Sequence, residues 1–237
     1  EQGTFEFLSQ IGIDFTQEGK IKRIVDLDED ELKKLTTAII LRRLGSEKNP
    51  EDVFGNIYLL KEEIEDNLKD AREFSTLLNC CGRLNKPSVG IGVCLDNFDL
   101  KQKANELLKQ YRLELINGLN WFYSNKGKLV KGENFVIINS ESYIRDTLIG
   151  TITSIINKSN IYKDDTILMG MAYTLDDKIK ISMRSNSNKH NLTQILKEIV
   201  NNKGETGGHK QACGALISQE YEQEFINNAV EVLSKIK

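Results

Sequence analysis

The chain is poor in histidine and cysteine, has no long apolar run, and is dominated by neither sign of charge. Its two histidines, His190 and His209, and its four cysteines have no metal-ligand spacing, which argues against a zinc-type centre built from them. Adjacent Cys80 and Cys81 make neither a CxxC motif nor an easy disulfide. With Cys94 and Cys213 they read as buried free thiols in a reducing cytoplasm. No window approaches the roughly 18 apolar residues of a membrane span, so no membrane partner is expected. No signal-peptide pattern is present, and the first residue, Glu1, is not Met, which reads as a processed chain or a fragment. Lys and Arg number 32 against 35 Asp and Glu, a net charge of −3, so bulk charge does not point to nucleic acid. The 237 residues, 39% hydrophobic and 28% charged, suit an ordinary globular protein of two domains rather than one.

Charge is distributed unevenly. Lys178 to Lys210 holds seven basic and two acidic residues, while Glu47 to Glu73 holds nine acids and four bases. The basic stretch leads into Gly204-Glu205-Thr206-Gly207-Gly208-His209-Lys210-Gln211-Ala212-Cys213-Gly214. Glycines at this density let backbone approach a ligand closely, and a histidine among them can donate to an anionic oxygen. The segment is not a Walker loop, because His209 stands where a glycine should precede the lysine and no Ser or Thr follows Lys210. It precedes a strand rather than opening a helix, so it is no dinucleotide fingerprint either. A phosphate-contacting loop is the reading that remains.

Periodicity divides the chain. Phe5, Leu8 and Ile11 end a first helix. Asp28 and Glu31 make a capping box before Leu32, Leu35, Ile39 and Leu44, and Pro50 can open a short helix. Ile64 to Leu78 reads as one helix, Gly82 to Pro87 as a loop, and Val89 to Leu95 as a short helix or strand. Leu100 to Tyr123 follows a 3.6 period as the longest helix. The second half alternates: strand Phe135–Ile138, helix Ile144–Asn157, a hairpin of Thr166–Ala172 with Lys178–Met183 around Asp176-Asp177, and helix Leu192–Val200 capped by an Asn191/Gln194 box. Beyond the glycine loop come strand Ala212–Ile217 and a last helix capped by Ser218.

Ser182 and Arg184, two apart on a strand, share a face, and a hydroxyl beside a guanidinium suits phosphate or carboxylate. An edge-strand surface arginine would look the same. Arg145 opens a helix, where an arginine opposes the dipole but an anion is favoured. Asn79 and Arg83 close a helix of small residues, where a basic C-cap is also the simple packing solution. Tyr143 and Tyr173 are the nearest aromatics for base stacking, and core packing is the expected role of each.

Gly207-Gly208-His209-Lys210-Gln211-Ala212-Cys213-Gly214 resembles the signature of the DHH-associated C-terminal domain of DHH phosphoesterases. Ser182-Met183-Arg184-Ser185 resembles its Ser-x-Arg strand, and Tyr143 to Gly150 its first helix. Leu78-Asn79-Cys80-Cys81-Gly82-Arg83-Leu84 is similar to the Asn-Ala-Ala-Gly-Arg-Leu block of RecJ-type nucleases. Together these resemble an archaeal RecJ-like single-strand exonuclease over most of the chain. Cysteines at 80, 81 and 213 and Thr206 replace the usual small residues. The family's Asp-His-His metal motif is absent.

The resemblance implies an α/β (α+β) fold. Residues 1–98 would be a mostly helical remainder of the DHH domain or an insertion, 99–127 a connecting helix, and 128–237 a compact mixed-sheet substrate-binding domain. It implies that Arg145, Ser182, Arg184, Gly207, Gly208, His209 and Gly214, with Asn79 and Arg83 across the cleft, hold phosphates of single-stranded DNA or RNA. It assigns no catalytic or metal-binding residue to this chain. By the same resemblance, Mn²⁺ or Mg²⁺ is expected in a catalytic domain that these residues do not include. Two alternatives are a catalytically inactive replication factor that binds the GINS complex, with the acidic Glu47–Glu73 region as its contact face, and a small-phosphoester or pyrophosphate hydrolase.

Overall fold

A computed structural model describes residues 2–17, 20–22, 24–46, 49–61, 63, 66–159 and 161–236. The chain divides into two compact units, Glu1–Leu59 and Leu60–Lys237.

The first unit holds helix α1 (Gln2–Gln10), a two-stranded antiparallel ribbon of β1 (Thr16–Gln17) and β2 (Lys20–Ile21), and helix α2 (Glu29–Arg43). The expected capping box forms: the Asp28 carboxylate accepts from Glu31 N–H at 2.7 Å, and the Glu31 carboxylate accepts from Asp28 N–H at 3.2 Å. Phe5 stacks on Phe15 with ring centroids 4.6 Å apart. No described residue of α2 is fully buried, so its apolar positions give it only a shallow seat. Pro50 opens a 3-10 turn to Val53.

The second unit carries the larger core. The helix expected from Ile64 to Leu78 is interrupted: α3 (Asp66–Lys69) ends and α4 (Ala71–Arg83) begins at Asp70. The cause is local, because the Asp70 carboxylate accepts from Arg72 and Glu73 N–H and acts as a new N-cap. Ile64 lies outside the described residues. The acidic stretch therefore is not one helix, and Val53 to Leu60 within it exposes Phe54, Ile57, Tyr58 and Leu59. Val89–Leu95 resolves as helix rather than strand, α5 (Pro87–Cys94) with Leu95 as its C-cap, and the long helix is α6 (Phe98–Ser124).

A six-stranded mixed sheet follows: β3 (Val130–Lys131), β4 (Phe135–Asn139), β5 (Ile167–Tyr173), β6 (Lys178–Arg184), β7 (Gly204–His209) and β8 (Ala212–Ser218), in the order β3-β4-β5-β6-β8-β7. Only β4 and β5 pair in parallel, across helix α7 (Asp146–Lys158). Alternation along the strands makes two faces. Val136, Ile138, Leu168 and Ala172 pack with α6 and α7. Ile179, Ile181, Met183, Cys213, Ala215 and Ile217 pack with α8 (Leu192–Val200) and α9 (Glu222–Ser234). The architecture is thus mixed α/β, with helices on both faces of the sheet.

Two capping expectations change. Asn191 accepts from Thr193 N–H without a reciprocal bond from Gln194. Ser218 leads into a 3-10 turn, Gln219–Tyr221, and caps neither it nor α9 through its side chain. The larger change is at the glycines. Gly204 to His209 is an edge strand in a tight hairpin with β8, not a loop. A Cβ on Gly204 would stand 2.3 Å from the Leu216 carbonyl oxygen, and one on Gly214 2.8 Å from that of Ile181. These glycines let neighbouring backbones approach closely. Cys80, Cys81 and Cys213 are buried as expected, whereas Cys94 is exposed.

Candidate nucleic-acid phosphate site

The face of the sheet packed by α7 is covered over β5 and β6 and open over β8 and β7. Register brings Gly170, Ser182, Gly214 and Gly207 into one row across four strands. Gly150 of α7 crosses above Ser182: a Cβ there would lie 2.9 Å from Ser182 Oγ and 3.3 Å from Arg184 Nη2. The helix comes down onto β6 only because that position is glycine. Beside this contact opens a groove of about 500 Å³, lined by Arg83, Asp146, Lys180, Ser182, Arg184, Glu205, Thr206–Gly208 and Ala212–Leu216.

Arg184 is held from three sides. Its Nε donates to Ser154 Oγ at 3.0 Å, and its Nη1 donates to the carbonyls of Met183 at 2.8 Å and Cys213 at 3.1 Å. Ser154 in turn donates to the Gly150 carbonyl at 2.8 Å. These bonds leave Nη2, beneath Gly150, without a hydrogen-bond partner among the described residues. Arg83 closes α4 and donates from Nη1 to the Thr147 carbonyl at 2.8 Å, while Thr147 Oγ1 donates to the Arg83 carbonyl at 2.6 Å. The α4 C-terminus is thereby tied to the first turn of α7. Burial first, and then the like charge of Arg83, lower the Arg184 pKa, against an opposing pull from Cys213. Burial likewise pushes the Cys213 thiol up to about 11, despite the neighbouring guanidinium.

Among the described residues neither arginine forms an ion pair, although Asp146 and Glu205 also line the groove. Ser182 is only 6% exposed, and its hydroxyl has no hydrogen-bond partner among the described residues. Two guanidiniums without an ion-paired carboxylate among the described residues and a free hydroxyl thus converge beside the glycines of β7 and β8.

The residues singled out in the sequence are not all here. Arg83, Ser182, Arg184, Gly207, Gly208 and Gly214 line the groove together. Arg145 is the N-cap of α7, where its Nε pairs with Glu114 of α6 at 2.6 Å, outside the groove lining. His209 ends β7 on the groove side by alternation, exposed and beyond the lining residues. Asn79 is exposed on α4 and also outside it. Sequence reasoning missed Lys180, which the same period of two that links Ser182 to Arg184 could have found. Ser154 had no signal of its own, since its role depends on α7 crossing β6.

Tyr173 donates to Glu222 at 2.7 Å, and burial, then Glu222, pushes its phenol up to about 12. Tyr143 does not pack in the core: it is 73% exposed. No three of the described His, Cys, Asp and Glu residues lie together where they could hold a metal ion. The groove's own donors, two acids among three cations, do not fit Mn²⁺ or Mg²⁺. No described helix is long and apolar enough to cross a membrane.

Residues 135–236 match the family model described as the DHHA1 domain. An uncharacterized protein of Methanocaldococcus jannaschii is 30% identical over 240 residues, covering 99% of this chain and 48% of the relative. The chain therefore spans about half the length of that curated relative. RecJ of Thermus thermophilus in complex with Mg²⁺ superposes with a TM-score of 0.55 at 14% identity, over 70% of this chain and 26% of that one. Exonuclease RecJ bound to manganese gives 0.53 at 13% identity, over 88% and 50%. Residues 135–236 thus match a DHHA1 domain, and the chain shares its fold with RecJ.

Proposed function

We propose that this chain is the substrate-holding part of a RecJ-like phosphoesterase, and that its groove grips phosphates of single-stranded nucleic acid. The observation that carries this reading is the pairing of Arg83 with Arg184, two guanidiniums in one groove with no ion-paired acid among the described residues. Arginines stay charged at neutral pH and present forks matched to phosphate oxygens. An anion between them would relieve their repulsion and accept from the free Nη2 of Arg184. Ser182 Oγ and the open Gly207–Gly208 backbone add neutral partners. Lys180, four residues along β6, extends the positive floor about 13 Å from Arg184 at strand rise, longer than a single phosphate. A nucleic-acid strand, with charges at intervals, suits that length. Phosphodiester hydrolysis would be carried by Mn²⁺ or Mg²⁺ ligands outside the described residues.

Arg184→Ala tests the assignment. Single-strand affinity should fall about tenfold or more, as expected for a charged hydrogen-bonding partner. The slope of log K against log salt should shrink by about one unit. Arg184→Lys keeps the charge but loses the fork, so it should restore the slope and only part of the affinity. Unchanged affinity and slope in folded Arg184→Ala would sink the assignment.

A further inference from the structure

Resting on the phosphate reading of the groove, we propose that Tyr143 and Trp121 form a stacking platform for a nucleobase of the same strand. The rings stack with centroids 5.8 Å apart and planes 25° from parallel. Trp121 belongs to α6 and packs against the core, so it forms a fixed backing. Tyr143 covers one face of it and is itself 73% exposed, which leaves its outer face to solvent. Its phenol has no hydrogen-bond partner among the described residues.

The segment that presents this ring is tied down on both sides. Ser140 is fully buried and donates from N–H and Oγ to the Met171 carbonyl at 3.0 and 2.7 Å. Tyr143 N–H donates back to the Ser140 carbonyl at 2.8 Å. Ile144 is buried, and Arg145 is anchored on Glu114. The ring face of Tyr143 turned away from Trp121 keeps apolar surface in water. A flat ligand that covers it recovers that loss, and every base has a π-face to offer.

The platform adjoins the groove through the chain itself. Tyr143 stands three residues before Asp146, a groove residue, so at most about 11 Å of backbone separates them. A strand with a phosphate on Arg83 and Arg184 can therefore reach the platform within a few nucleotides. Arg145 is half exposed between the two places. Lys126 and Lys128 follow α6 just past Trp121, with the Lys126 ammonium 4.8 Å from the Tyr123 ring. Glu114 of α6 is the acid paired with Arg145.

Trp121 is the only tryptophan, so its fluorescence reports this place alone. The chain would be titrated with a single-stranded oligonucleotide and with an abasic strand of the same length and phosphate count. The base-bearing strand should quench Trp121 and bind Tyr143→Ala about 5- to 150-fold more weakly than the parent, the span of one base–aromatic stack. Tyr143→Phe should behave as the parent, and the abasic strand should bind all three proteins alike without quenching. The platform is overturned if Tyr143→Ala binds the base-bearing strand unchanged, or weakens both strands equally. Arg184→Ala separates the two readings: it weakens both strands if the groove holds phosphate. If it changes neither, the groove reading fails whatever Tyr143 does. Binding of neither strand by the parent overturns both.

Discussion

Gly207→Val is expected to weaken binding of single-stranded oligonucleotides about 10- to 100-fold, the loss of one charge-assisted contact, while the fold survives. Gly207 lines the groove, and a Cβ built there meets nothing within 4 Å. Its backbone lies outside the left-handed region. Valine is well suited to a strand, so the thermal midpoint should stay within about 2 °C, the reach of a harmless surface substitution in a chain of this size. The added methyls would occupy the space through which a phosphate approaches the hairpin backbone. Unimpaired binding by this variant would mean that the ligand does not pass over β7.

Gly208→Val, one residue on, should do the reverse and damage the fold. Gly208 has φ +128°, and a Cβ there would stand 2.5 Å from Cys213 Cα and 2.6 Å from the Ala212 carbonyl oxygen. Both are backbone atoms of the paired strand, so neither can swing aside. Strain in a glycine-only region and overpacking each cost about 1–3 kcal/mol. The sum, about 2–6 kcal/mol, corresponds to a midpoint lowered by about 5–20 °C. Thermal unfolding followed by circular dichroism reads this directly. A midpoint equal to that of Gly207→Val would contradict the pairing of β7 with β8. The neighbouring glycines thus serve different ends: one keeps the groove open, the other lets the hairpin close.

Much of the fold is legible in residue spacing. The Asp28–Glu31 box, the long α6 helix, the β5–β6 hairpin and Leu192–Val200 all follow from local periodicity and caps. The glycine hairpin is hidden because strand recognition depends on alternating side chains, and Gly204, Gly207 and Gly208 have none. Backbone pairing with β8 makes it a strand all the same. The Asp70 break is hidden for the opposite reason: the apolar period runs through it, and a single carboxylate outweighs it. Within the candidate site, Ser182 with Arg184 needs only a period of two. The position of Arg145 depends on Glu114 thirty-one residues upstream. That of Arg83 depends on α4 docking against Thr147. Long-range contacts of this kind leave no trace in local spacing. Tyr143 departs from its expected core role for the same reason, since its exposure is set by how its turn lies on Trp121.

The central claim, that the groove between α7 and the glycine hairpin holds nucleic-acid phosphates, is tested most directly by titrating the chain with single-stranded oligonucleotide across salt, with and without a 5′-phosphate. Arg83, Lys180 and Arg184 line the groove, and three neutralised phosphates on a single strand correspond to a slope of about −2 in log K against log salt. The account predicts a slope at least that steep. A slope near zero, or no measurable binding at low salt with either strand, would contradict it.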